Sequence, residues 1–117
     1  MNSQKTFEDS RGTIRVFYDN DEELKVITTY QGKARGGCLH DCDEVFEVVS
    51  GDVLLVAGNS LCLKAGKSCV IQAFTHHWFI SLTDSVVIER IRRKSNSRKD
   101  EKIRDFIKKI NGTQDIK

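Results

Sequence analysis

The sequence contains no proline, no apolar run longer than a few residues and no pair of cysteines spaced Cys-x-x-Cys. A run such as residues 53–57 falls far short of the roughly 20 apolar residues that a membrane-spanning helix needs, so no membrane partner is expected. Without Cys-x-x-Cys there is neither a zinc ribbon nor a thioredoxin-type redox motif. The opening Met-Asn-Ser-Gln-Lys has no apolar signal core, which argues for a cytoplasmic location. Thiols stay reduced there, so Cys62 and Cys69 read as small strand hydrophobes rather than disulfide partners.

What is present suits one globular domain. The chain has 117 residues, 38% of them apolar and 31% charged, which excludes collagenous and low-complexity classes. Charge is divided unevenly along it. Residues 1–91 carry nine basic and thirteen acidic side chains, whereas residues 92–117 carry ten and four. The first part is mildly acidic and the tail is basic.

Short β-branched and aromatic segments recur between turn residues. Residues 13–18 and 24–30 flank the acidic turn Asp19-Asn20-Asp21, and Ser50-Gly51-Asp52 joins residues 44–49 to 53–57. Residues 60–63, 68–72, 77–82 and 85–91 continue the series, while Gly36-Gly37 reads as a break. Eight or nine strands at this spacing predict a sandwich or barrel. In the tail, Ile103, Phe106, Ile107 and Ile110 form one apolar stripe at helical spacing, opposite Lys and Arg. Asp100-Glu101 suits the helix start, Lys108-Lys109 its last turn and Gly112 its end. Interleaved acids and a lone aromatic argue against nucleic acid and for a helix packed on its own sheet or on a second subunit. The expected division is a β domain over residues 1–94 and a short linker with a basic amphipathic helix over 95–117.

The chemistry-bearing segment is Arg35-Gly36-Gly37-Cys38-Leu39-His40-Asp41-Cys42-Asp43-Glu44, with Gly51 downstream. On a strand Cys38 and His40 point to the same side, and a hairpin brings Glu44 beside them. His77 from a distant strand can complete the group, or His76 if the register shifts by one. Cysteine, two histidines and a glutamate suit a first-row divalent metal, and a thiolate favours zinc or iron, with nickel and manganese next. No organic cofactor is indicated. Asp41, Cys42 and Asp43 read as a solvated turn. Trp78 and Phe79 alternate, so one of them should face inward.

These residues resemble the first motif of the cupin superfamily, His-x-His, three or four residues, Glu, six residues, Gly, with Cys38 in the first histidine's place. A second cupin motif, Pro-x-Gly-x-x-His, is matched in spacing by residues 72–77, with Gln72 and Phe74 replacing proline and glycine. The resemblance spans roughly residues 12–91. It implies a cupin-type jelly-roll barrel, all-β with a C-terminal α-helix, and a pocket at its mouth.

A narrower resemblance joins Arg35-Gly36-Gly37-x-x-His40 to Asp9-Ser10-Arg11-Gly12, and is to cupins that isomerise or epimerise nucleotide-linked sugars. It implies proton transfer next to a carbonyl, with His40 as base, His77 or Tyr30 as the returning acid, and Arg35 and Arg11 holding phosphate. In those enzymes a histidine follows the Arg-Gly element, and here Cys38 stands there. A metal-dependent cupin such as a dioxygenase, and a non-catalytic cupin binding a small ligand, are the alternatives. A homodimer is expected from the prevalence of two-fold assemblies.

Overall fold

The computed structural model describes residues 5–92 and 94–112, so residues 1–4, 93 and 113–117 of the two expected segments lie outside the described residues. Among the described residues, eleven antiparallel strands precede one helix. They are β1 (Lys5–Asp9), β2 (Gly12–Asp19), β3 (Glu22–Thr29), β4 (Ala34–His40), β5 (Glu44–Ser50), β6 (Asp52–Ala57), β7 (Asn59–Lys64), β8 (Ser68–Ile71), β9 (His77–Ser81), β10 (Ser85–Arg92) and β11 (Ser97–Lys99), followed by α1 (Glu101–Asn111). Two sheets form, ordered β1-β2-β3-β10-β5-β8 and β11-β4-β9-β6-β7. No helix among the described residues is long and apolar enough to cross a membrane.

The strand count exceeds the sequence expectation for identifiable reasons. Strands β1 and β11 are exposed along their whole length and are held by backbone pairing to β2 and β4, so no apolar alternation announces them. The glycine pair does not break the chain. Strand β4 runs through Gly36 and Gly37 with a bulge, where its pairing to β9 slips between Gly36 and Cys38. Both glycines have positive φ, 122° and 86°. A Cβ on Gly36 would lie 2.7 Å from the Trp78 Cα, and one on Gly37 would lie 2.7 Å from the Arg104 Cγ. Glycine here lets two neighbours approach the strand.

The inner faces of the sheets meet in a core of Ile27, Phe46, Val48, Val53, Leu55, Leu63, Ile71, Phe79 and Val87. Phe46 of β5 and Phe79 of β9 pack edge to face across it, with ring centres 5.3 Å apart. Phe79 is therefore the inward member of its pair, while half-buried Trp78 meets Phe106 of α1 on the outside. Cys69 flanks the core, but Cys62 is exposed on β7 and is not the buried hydrophobe expected. All four cysteines are free.

Helix α1 starts and stops where its sequence signals lie. Asp100 is the N-cap and accepts a hydrogen bond from the Ile103 N–H at 3.1 Å, and Gly112 is the C-cap. The helix packs against β4 of its own barrel. Phe106 nevertheless stays 50% exposed, and the buried helix residues are Ile107 and Asn111. The Asn111 side chain accepts from the Ala34 N–H at 2.7 Å and donates to the Ala34 carbonyl at 2.8 Å. It thereby satisfies the β4 backbone beyond the end of β11. Asn111→Ala is expected to leave that buried peptide unpaired and to destabilise the protein by about 1–3 kcal/mol. Urea unfolding with an unchanged midpoint would contradict this.

Candidate metal centre

Strands β2, β3, β4, β9 and β10, the β1–β2 turn and α1 supply the walls of a cavity of about 250 Å³ between the sheets. Ile14, Ile27 and Phe79 contribute apolar surface; Cys38, His40 and His77 stand on one side, and Arg11, Lys25, Arg35, Glu89 and Arg104 complete the lining. Alternation explains most of these positions. Lys25 shares a strand face with Ile27, and Glu89 shares one with Val87 and Ile91, so both polar residues project inward among core residues.

His40 ends β4, the three-residue turn 41–43 reverses the chain, and Glu44 opens β5. The turn is latched rather than merely solvated. Asp41 accepts from the Asn96 backbone and side-chain N–H groups, and Asp43 accepts from the Ala73 N–H at 2.8 Å. His77 opens β9 and is 5% exposed. The histidine ambiguity is thus resolved in its favour, because the His76 side chain is 56% exposed and pairs with Asp100.

One ligand atom from each of His40, Glu44 and His77 lies within 4.8 Å of the other two. His40 Nε2 is 3.3 Å from Glu44 Oε1, and His77 Nε2 is 3.6 Å from Glu44 Oε2. Ligands about 2.1 Å from one ion stand roughly 3.0–3.4 Å apart in octahedral or tetrahedral geometry. The His77 ring is oriented by Nδ1, which donates to the Thr75 carbonyl at 3.0 Å and so leaves Nε2 with its lone pair toward Glu44. Glu44 is 2% exposed, and among the described residues neither its Oε2 nor the buried His40 Nδ1 has a hydrogen-bond partner. A buried carboxylate oxygen without a donor is costly unless a cation meets it. The donor set fits a divalent metal.

The electrostatics of these side chains reflect the same crowding. Burial pushes the Glu44 carboxyl up to about 9, with Glu89 adding to it. Burial, and then the neighbouring His77, press the His40 imidazole down to about 4. Burial also works against a charged Lys25, but the carboxylates of Glu89, Glu23 and Glu44 overcome it and raise its pKa.

Cys38 lines the cavity beside these three but stands outside the group of converging ligand atoms. Its Sγ instead accepts from Arg104 Nη2 at 3.1 Å. Arg35 is 5% exposed, with Nε donating to Thr29 Oγ1 at 2.9 Å and Nη2 to the Thr28 carbonyl at 3.2 Å. Arg11 is held by Asp9 at 2.6 Å, and that hydrogen bond keeps the Asp9 carboxyl below the usual carboxylate range. Tyr30 is 50% exposed in the turn after β3 and is not among the lining residues. Lys25, Glu89 and Arg104 were not singled out by motif; strand alternation marks the first two.

No family model matches the sequence, and no curated protein is significantly similar to it. Solved structures are. The capsular polysaccharide assembling protein CapF of Staphylococcus aureus matches 74% of this chain with a TM-score of 0.63 and 21% identity, and the match spans only 29% of the CapF chain. An RmlC-like cupin from Shewanella frigidimarina matches 77% of this chain and 86% of its own length, with a TM-score of 0.67 and 19% identity. The fold is a cupin fold. Oxalate decarboxylase OxdC of Bacillus subtilis shares the cupin barrel with a TM-score of 0.72 at 14% identity, over 82% of this chain and 30% of that one.

Phe74 illustrates how this cupin barrel departs from the usual second motif. It occupies the motif's glycine position and has φ 62°, the one positive φ at a non-glycine residue among those described. Its N–H donates to the His40 carbonyl at 2.7 Å, so the strained turn anchors the loop beside the ligand group.

Proposed function

We propose that this chain is a metal-dependent cupin enzyme acting on a small sugar-like carbonyl compound. The observation that carries this reading is the convergence of His40, Glu44 and His77 around a buried carboxylate oxygen that has no hydrogen-bond donor among the described residues. Two imidazoles and one carboxylate match the donor set of non-haem iron sites and also suit manganese, nickel or zinc. Such an ion supplies, when bound, polarisation of a carbonyl or carboxyl oxygen.

The chain's own residues bind and orient the ligand. Arg35 and Arg11 present guanidinium groups to the cavity, and Ile14, Ile27 and Phe79 offer an apolar surface for the carbon skeleton. Glu89, the lining carboxylate outside the ligand group, would exchange a proton with a ligand in the cavity. His40 suits ligation better than base catalysis, because an imidazole near 4 holds a proton only weakly at neutral pH. At about 250 Å³ the cavity is smaller than the roughly 300–1,000 Å³ of typical drug-sized sites, which favours a small sugar or acid over an entire nucleotide-sugar.

Protein purified without an affinity tag is expected to carry near-stoichiometric iron, manganese, nickel or zinc by plasma mass spectrometry. His40→Ala and His77→Ala should keep less than about a tenth of it, as loss of a ligand implies, whereas Cys38→Ala should keep it. A wild-type protein that stays metal-free after reconstitution with each of the four ions would overturn the proposal.

A further inference from the structure

Residues 1–91 carry an excess of acidic side chains, yet the cavity wall gathers four cationic residues against one lining carboxylate, Glu89. One of the four comes from outside the barrel. Arg104 belongs to α1 and reaches back over β4, donating from Nε to the Gly37 carbonyl at 3.1 Å and from Nη2 to Cys38 Sγ at 3.1 Å. Its route is shaped for it. Gly37 has φ 86°, and any Cβ there would sit 2.7 Å from the Arg104 Cγ. The helix that carries it is fixed at both ends, by the Asp100 N–H donating to the Gly37 carbonyl at 2.8 Å and by the two Asn111–Ala34 bonds.

A guanidinium fixed this firmly is normally matched by a carboxylate. Among the described residues Arg104 has no carboxylate within ion-pair distance, and its Nη1 has no hydrogen-bond partner. Arg11, which also lines the cavity, uses Nε and Nη2 on Asp9 and has no partner for Nη1 among the described residues. Two guanidinium groups, from the β1–β2 turn and from α1, thus retain donors at the cavity lining, beside Lys25, whose ammonium pairs with Glu23 at 3.6 Å.

We infer that this wall is an anion subsite, that α1 completes it through Arg104, and that the ligand is a small compound with a dianionic head, a phosphate monoester or a dicarboxylate. The inference deepens the metal-enzyme reading and rests on it for the rest of the ligand, which reaches toward His40, Glu44 and His77. The anion contact itself needs only the arginines. Arg104 is then a ligand-contact residue, and the C-terminal helix belongs to the site rather than to a separate appendage.

Inorganic phosphate and malonate serve as probes in calorimetric titrations of the full chain, with metal content measured on each sample. Wild type is expected to bind at least one of them, and the tighter of the two identifies the head group. Arg104→Gln and Arg11→Gln should each weaken it by roughly ten- to a hundredfold, as loss of a charge-assisted fork implies, with metal content unchanged. Arg98→Gln, at an exposed β11 position, should bind as wild type does. Should Arg104→Gln fail to fold by circular dichroism, Arg11→Gln decides. Neither probe binding at millimolar concentration, or equal weakening by Arg98→Gln, would overturn the anion subsite even if metal is bound. Arginine-dependent binding in a metal-free protein would instead leave the subsite standing and remove the metal-enzyme reading.

Discussion

Metal-free protein is expected to lose stability as pH rises above about 6.5, and Glu44→Gln is expected to remove that loss. Glu44 is raised from an ordinary 4.5 to about 9 in the folded chain, so between those values the folded state holds a proton that the unfolded chain has released. Its stabilising share is complete below 4.5 and declines as pH climbs toward 9. His40 acts with the opposite sign. It is lowered from 6.5 to about 4, so its share is complete above 6.5 and declines as pH falls toward 4. Between about 4.5 and 6.5 the two slopes roughly cancel. Above 6.5 only the Glu44 slope remains, worth about 2 kcal/mol by pH 8, or a Tm drop on the order of 8 °C. Bound metal takes the place of the proton and flattens the profile. Differential scanning calorimetry of chelator-treated wild type and Glu44→Gln from pH 5 to 8.5 checks this. Identical profiles for the two proteins would contradict it.

Truncation of Phe46 has the second large effect. Phe46 is fully buried on β5, two residues after Glu44, and Phe79 is 2% exposed on β9, two residues after His77. The edge-to-face contact at 5.3 Å therefore joins the two strands that carry two of the three ligands. Phe46→Ala is expected to cost about 3–5 kcal/mol through lost burial and the cavity it leaves. It should also weaken metal binding, because β5 and β9 lose the contact that sets their separation inside the barrel. Urea unfolding and metal titration on one preparation read both effects. A cost below about 1.5 kcal/mol would mean that this site collapses readily and that the ring pair does not hold the strands.

Much of the barrel was legible because turn residues and apolar alternation are local signals. The hairpin at Ser50-Gly51-Asp52, the stripe of α1 and its Asp100 and Gly112 ends all depend on neighbours within a few positions. Strands β1 and β11 escaped because exposed edge strands owe their existence to a partner backbone. The break expected at Gly36-Gly37 became a bulge for a related reason. What those glycines accommodate, the Trp78 backbone and the Arg104 side chain, is distant in sequence.

The site divides in the same manner. Cys38, His40 and Glu44 were found as a cluster by spacing, and His77 by its place in a degenerate motif. Spacing placed Cys38 with the ligands, and the structure puts its sulfur against Arg104 because the bulge and α1 meet there. Lys25 and Glu89 could have been found by strand parity, since each alternates with core residues. No local pattern announces Arg104, which reaches the cavity from a helix that Asp100 and Asn111 dock on the β4 backbone. Tyr30, expected as a returning acid from the resemblance, lies in the turn after β3, half exposed and outside the cavity lining.

Everything proposed for this site turns on whether His40, Glu44 and His77 hold a metal ion. X-ray absorption on metal-loaded protein tests it most directly. The expected spectrum has a shell of nitrogen and oxygen at about 2.0–2.2 Å with the outer scattering of two imidazoles, and no sulfur at about 2.3 Å. A sulfur shell would make Cys38 a ligand, and a spectrum without imidazole scattering would place the metal elsewhere.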